Sequence, residues 1–405
     1  MTDNFRYNHI RTVVIAVALT TGLYGQTRPS PPLLMDGHIH ITNRVYWEGI
    51  DPWKPQRSGD WDYARARQSG VNVVVENIGP YGYNTYNTNV KQVGRLIETF
   101  HRVLEANRDK MELALSAADV RRIVAGGKLA VILGIESGFD QEGDLDILRL
   151  WYRLGVRVIQ FSSQVTNSYA DSSARGGVKW NGINERGRRL VAEMNRLGMV
   201  IDITHATEAA QRQIIAASKA PVVASHTGMQ ALCNNPTNMP DDILRALAAK
   251  GGLVGIHGNS TVISQRYYDW SRTHPPAPGS FDTARAELSL IRSPNRDYGE
   301  YIDALDSYMG KMWRERFKDP WHDTPEAEAL VPSVDDWAAH VEHAIKIAGP
   351  AHVAIGLDLT TGRSTLKNFN ASGYQRLVEA LRKRNISGGV LGENWLRILD
   401  AAKAP

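Results

Sequence analysis

The feature that most constrains this chain is an alternation that begins near residue 33. Short apolar runs rich in Val and Ile occur at 33–40, 71–78, 129–137, 156–163, 199–205, 222–227, 253–258 and 353–359. These runs are mostly apolar, as suits parallel strands covered on both faces. The stretches between them carry helical spacing instead. In 185–197, Leu190, Val191, Met194 and Leu197 share one face, and 241–250 follows the helix-starting Pro240. Eight such strands joined by helices predict an α/β fold, a closed (β/α)8 barrel of TIM type rather than an open sheet. A length of 405 residues, 42% of them hydrophobic, suits one such barrel carrying an insertion.

The insertion is expected at about 260–332, before the last strand, because the rhythm breaks there until Ser333 starts another helix. It is rich in large aromatics: Tyr267, Tyr268, Trp270, Tyr298, Tyr301, Tyr308, Trp313, Phe317 and Trp321. Helices of its own are expected, for instance over 298–317. Since it follows a barrel strand, it belongs on the C-terminal face, as a lid, a homodimer contact or a packed decoration.

At the N-terminus, Arg6, His9 and Arg11 precede an apolar stretch over 12–19. This is the layout of a secretory signal peptide, expected over 1–25, with 26–405 as a single barrel domain, secreted or periplasmic. The alternative is an uncleaved anchor, although the stretch is too short to span the ~30 Å hydrocarbon core stably. Cys233 is the only cysteine, so no intramolecular disulfide forms. A formal charge of +4 from scattered Lys and Arg argues against a nucleic-acid partner.

The chemistry lies where the apolar runs end. His38 and His40 are two apart on a strand and so face the same side. Glu136, His205, His226 and Asp358 close the third, fifth, sixth and eighth runs. A carboxylate or imidazole at such a place is costly to bury unless it is paired or ligated. Strand ends bearing these ligand types converge at the C-terminal face of a barrel, which points to a divalent metal site and a metal-dependent hydrolase. His257, ending the seventh run, is a further polar group there, with a loop hydrogen bond as its plainer use. Tyr46, Trp47 and Trp53 are candidates for the pocket wall or the core.

These residues sit in motifs that resemble the membrane (renal-type) dipeptidases, within the metal-dependent amidohydrolase barrels. The resemblance is carried by Met35-Asp36-Gly37-His38, Gly134-Ile135-Glu136, Leu154-Gly155-Val156-Arg157 and Ala170-Asp171-Ser172. It continues through Glu193 to Met199, Ile201-Asp202-Ile203-Thr204-His205, Ala220 to His226, Asn238 to Asp242, His352 to Asp358 and Asn394-Trp395-Leu396-Arg397. It implies a binuclear zinc centre: His38 and residue 40 on one ion, His205 and His226 on the other, Glu136 bridging. A bridging water is then the nucleophile, and Asp358 orients it and carries its proton to the leaving amine.

Three positions depart from the family pattern. His40 stands where the family has Asp, which leaves the pair of ions about one unit more positive and puts metal number and identity in question. Ser163 stands where the family has a histidine that holds the substrate carbonyl oxygen. Thr237 replaces an arginine that grips the substrate carboxylate, and threonine cannot form a bidentate charged pair. Arg363 is a candidate substitute. The expected activity is hydrolysis of a dipeptide or similar small amide. The alternatives are hydrolysis of a lactone, ester or N-acyl amide lacking a free carboxylate, and a non-catalytic binding protein.

Overall fold

The computed structural model describes residues 31–402, apart from 58, 81–85, 137–138, 141, 163–164, 174–176, 276–305, 312–313, 315–323, 360–365 and 387. The expected signal peptide, Ser163 and Arg363 therefore lie outside the described residues.

Each of the eight apolar runs contains a strand. In chain order these are β1 (Met35–Ile39), β2 (Val73–Ile78), β4 (Leu129–Ile135), β5 (Val156–Gln160), β6 (Val200–Asp202), β7 (Val223–Thr227), β8 (Leu253–Ile256) and β9 (Val353–Ile355). All pair in parallel in that order. The sheet closes where Ile39 bridges Leu359 and the Asp358 amide donates to the His38 carbonyl at 3.1 Å. The result is the barrel that the alternation predicts.

One further strand, β3 (Met111–Leu113), is not visible as an apolar run. It is three residues long, and only Met111 is buried. It pairs with the first part of β4, Met111 with Leu129 and Leu113 with Val131, ahead of the point where β5 pairs at Leu133.

The seam between first and last strands is held by a buried carboxylate. Asp36 Oδ1 accepts from the amides of His38 (3.1 Å) and Leu357 (3.0 Å), and Oδ2 accepts from the Tyr374 hydroxyl. Trp61 in turn donates to Tyr374 Oη at 3.0 Å. Burial pushes the Asp36 carboxyl up to about 6, against the pull of these donors.

The outer helices form where the sequence reading places them. Glu185–Leu197 starts at Asn184, whose side chain accepts from the Gly187 amide, and ends at left-handed Gly198. Asp241–Ala249 follows Pro240, and Val334–Ala348 opens with a capping box between Ser333 and Asp336.

Between β8 and β9 lie the short helices Ser260–Ile263, Gln265–Thr273 and Pro325–Leu330, with 306–311 also helical. Tyr267, Trp270 and Ala327 form a small apolar cluster of their own. Tyr298, Tyr301, Trp313, Phe317 and Trp321 lie outside the described residues. Asp306 pairs with Arg95 and accepts from Tyr46 Oη at 3.1 Å, while Arg314 donates to the Trp47 carbonyl at 3.2 Å. The insertion thus rests on the helix Ile41–Glu48 that leaves the C-terminal end of β1. Trp47 is buried in the main core, with Tyr46 and Trp53 packed partly against it. No helix among the described residues is long and apolar enough to cross a membrane.

Two glycines allow the closest backbone approach in the barrel. A Cβ on Gly255 of β8, or on Gly356 just after β9, would lie 1.9 Å from the Ser225 carbonyl oxygen. The obstacle is backbone and cannot rotate away. Gly255→Ala is expected to destabilise the protein by about 1–3 kcal/mol or more, the usual cost of overpacking. Gly388→Ala, with nothing within 4 Å of its Cβ, serves as the neutral control in urea denaturation.

Candidate metal centre

The barrel places the predicted residues around one point. His38 lies in β1 and His40 immediately follows it, so the strand's two-residue period turns both rings inward. Glu136 is the first residue past β4, His226 lies within β7, and His257 is the first past β8. His205 and Asp358 follow β6 and β9 in turns, with φ of 63° and 52°. A left-handed backbone at a residue other than glycine is uncommon and needs support from its surroundings. The His205 carbonyl accepts from Ser173 N (2.8 Å) and Oγ (2.9 Å), and Asp358 is tied to His38 as described.

Glu136 stands between two histidine pairs, one oxygen toward each. Its Oε2 is 2.8 Å from His40 Nε2 and 3.5 Å from His38 Nε2. Its Oε1 is 3.6 Å from His205 Nε2 and 4.0 Å from His226 Nε2. Within the pairs, the Nε2 atoms are 2.9 Å apart for His38 and His40, and 3.1 Å apart for His205 and His226. Asp358 lies beside this group, Oδ1 3.4 Å from His40 Nε2 and Oδ2 3.6 Å from His257 Nε2.

The electrostatics describe a site that calls for positive charge. Burial opposes ionisation of Glu136, but His40 and His38 hold its carboxyl well below the usual range. Asp358 is likewise lowered, against burial, by His40 and His257. Burial keeps His226 and His205 neutral and depresses His257 to about 4. His40 goes the other way. Burial disfavours its charge, yet the adjacent Glu136 and Asp358 raise it to about 10. A proton on His40 thus supplies the positive charge that a cation would otherwise bring.

The donor set fits a divalent metal. His40 Nδ1 lies 2.5 Å from the Asn77 carbonyl, an acceptor only, so Nδ1 carries the hydrogen and neutral His40 offers its Nε2 lone pair inward. His38, Glu136 and His226 bring ligand atoms close enough to share an ion, as do His38, His40 and Asp358, and His226, His257 and Asp358. Among the described residues, none is a hydrogen-bond partner for the buried His205 Nδ1.

Thr237 stands in the loop after β7, where Thr227 Oγ1 donates to its carbonyl at 3.1 Å. Its own hydroxyl donates to Asn235 Oδ1 at 2.9 Å. Three supporting residues were not singled out by the sequence reading: Asn77 and Ser225, which touch the candidate ligands, and Asp202, which holds Ser225. Asp202 carried a usable signal, since it is a carboxylate inside an apolar run, as Glu136 is at the end of one.

The sequence pattern of the family described as membrane dipeptidase (peptidase family M19) matches residues 31–404. The chain belongs to the membrane dipeptidase family. Dipeptidase verJ of Clonostachys rogersoniana is 27% identical over 312 residues, covering 76% of this chain and 64% of its own length. Dipeptidase aclJ of Aspergillus oryzae is 28% identical over 319 residues, covering 76% and 61%. The match thus spans less than two thirds of the length of these curated relatives. Among solved structures, the probable dipeptidase PvdM of Pseudomonas aeruginosa has a TM-score of 0.69 at 20% identity, covering 92% of this chain and 96% of its own. A metallo peptidase from Rhodobacter sphaeroides, liganded with a phosphinate mimic of the dipeptide L-Ala-D-Ala, gives 0.68 at 18% identity, covering 92% and 99%. These likenesses establish that the barrel is the family's fold.

Because His40 is protonated in the metal-free protein up to about pH 10, a divalent ion that takes its Nε2 must displace that proton. Zinc added to metal-free protein at pH 8 is expected to release about one proton from this residue. Calorimetry in buffers of different ionisation enthalpy measures it, and His40→Gln should abolish that proton.

Proposed function

We propose that this membrane dipeptidase family member is a metal-dependent hydrolase that cleaves the amide bond of a dipeptide or a similarly small substrate. The observation that carries the reading is Glu136, with one oxygen toward His38 and His40 and the other toward His205 and His226, and Asp358 alongside. The two pairs suit two divalent ions, with zinc the best match to a donor set dominated by imidazole. Such ions would supply a water that is deprotonated near neutral pH and a Lewis acid for the scissile carbonyl.

The chain's own residues do the rest. Glu136 and the four histidines hold the charge centre in place. Asp358 is the proton carrier: its Oδ1 is buried and, among the described residues, has only the long 3.4 Å contact to His40 Nε2, so it is available to accept a proton from the attacking water and deliver it to the leaving amine. His257, 3.6 Å from the other Asp358 oxygen, adds a neutral polar group on the substrate side. Ser163 and Thr237 are the further substrate-side positions in this reading. Protein released by a signal peptide would act in a secreted or periplasmic setting, and a homodimer contact through the insertion belongs to the same proposal.

One observation favours a second reading. Thr237 is neutral and its hydroxyl is already engaged by Asn235, so that position offers no charged clamp for a substrate carboxylate. An ester, a lactone or an N-acyl amide without that carboxylate would lose nothing there.

Metal analysis and a substrate panel test both. Purified protein is expected to hold about two divalent ions and to lose turnover with a chelator. Asp358→Asn should keep its metal and lose on the order of 10²–10⁴ in kcat. Glu136→Ala should lose both metal and turnover, and full activity in that variant would sink the mechanism. Turnover of lactones or N-acyl amides with none on dipeptides would favour the second reading.

A further inference from the structure

We infer that the buried pair Asp202 and Ser225 is a positioning device that sets the tautomer of one histidine in each half of the centre, His38 and His226. The inference rests on the two-ion reading above only where it speaks of two metal affinities. The tautomers themselves belong to the metal-free chain.

An ionised carboxylate only accepts, with about four lone-pair positions. Asp202 is fully buried, and it has four donors around it. Oδ1 takes the Thr204 amide (3.0 Å), the Thr204 hydroxyl (2.7 Å) and the Ser225 amide (3.0 Å). Oδ2 takes the Ser225 hydroxyl at 2.5 Å. The one hydrogen on Ser225 Oγ is therefore directed at Asp202, in the strongest class of hydrogen bond available to a hydroxyl. Pointing it elsewhere would leave two oxygen lone-pair systems facing each other at that separation.

Ser225 Oγ can then only accept from its remaining neighbours. Those are His226 Nδ1 at 2.8 Å, His38 Nδ1 at 3.1 Å and, at 3.5 Å, Thr204 Oγ1, whose own hydrogen goes to Asp202 at 2.7 Å. Both rings are placed to donate through Nδ1, which leaves both Nε2 atoms as bare lone pairs directed at the centre. His38 belongs to the pair facing Glu136 Oε2, and His226 to the pair facing Oε1. A single hydroxyl thus prepares a ligand in each pair.

Two surrounding features fit this role. Gly255 and Gly356 pack directly on the Ser225 carbonyl, so the main chain carrying the hydroxyl has nowhere to move. Asp202 also fixes Thr204, whose hydroxyl lies 3.4 Å from the His226 amide and which precedes His205 in the turn. The competing neighbour is the Asn77 side chain, with Nδ2 3.0 Å from His38 Nδ1 and 3.3 Å from the Val75 carbonyl. As an N–H donor to His38 it would favour the opposite tautomer. With its oxygen and nitrogen exchanged it supports the same one, at the loss of the longer contact to Val75.

Nitrogen-detected NMR of the imidazoles in the metal-free, full-length protein tests this, with signals assigned through His38→Gln and His226→Gln. Both rings are expected as the Nδ1–H tautomer. Nε2–H at either would overturn the inference. In Ser225→Ala, zinc affinity measured against a competing chelator should fall about 10–100-fold at both subsites, as for loss of an outer partner of a ligand. Ser225→Thr, which keeps the hydroxyl, should restore most of it. Unchanged affinity in Ser225→Ala, or weakening at one subsite alone, would overturn the proposal. Should the alanine variant not fold, the tautomers of the unaltered protein still decide. A wild-type stoichiometry of one ion would refute the two-ion reading separately and leave the tautomer result standing.

Discussion

An ionised carboxylate, buried among four imidazoles, is the constraint around which this barrel is arranged. Glu136 is almost fully removed from water, so its charge must be met locally. Four strands contribute to meeting it: β1 brings His38 and His40, β4 leads into Glu136, β6 into the turn of His205, and β7 carries His226. Only a closed parallel sheet brings the C-terminal ends of strands so far apart in sequence to one point. The fold class and the chemistry are in this sense a single requirement.

Much of the barrel was legible because burial on both faces leaves a plain mark, a short run rich in Val, Ile and Leu. The mark fades when a strand is short or half covered, which is why Met111–Leu113 did not register. It also runs past strand ends. The apolar runs reach His205 and Leu359, but β6 stops at Asp202 and β9 at Ile355. The residues beyond are irregular backbone that is still largely buried, and apolar composition does not distinguish such segments from a buried strand. His205 and Asp358 were therefore expected at strand ends, whereas each lies three residues past one, and nothing in the sequence hinted at their left-handed backbone.

The ligand set stood out because ionisable residues interrupt apolar runs. The supporting residues did not, for two different reasons. Asp36 and Asp202 interrupt runs just as visibly, but their partners are main-chain amides and hydroxyls contributed by distant strands. Asn77 contributes its carbonyl to His40, and a main-chain group has no letter in a sequence. His40 itself changed meaning. Read against the family it is a lost negative charge, while in the barrel it is a base that two neighbouring carboxylates have armed with a proton. A centre built this way carries one positive charge between its two carboxylates before any metal arrives, which offsets part of the repulsion between Glu136 and Asp358.

The seam held by Asp36 has a consequence for how the protein comes into being. The Leu357 amide that Asp36 accepts is 321 residues away along the chain. Loop closure over such a distance comes late, after local helices and neighbouring strands have formed. Asp358 lies next to that contact and bridges back to His38. Joining the two ends and completing the centre are consequently the same event. A nascent or clipped chain that lacks its last strand would hold four histidines and a glutamate without Asp358 beside them. In newly made barrels the cluster would stay incomplete until the two ends had met.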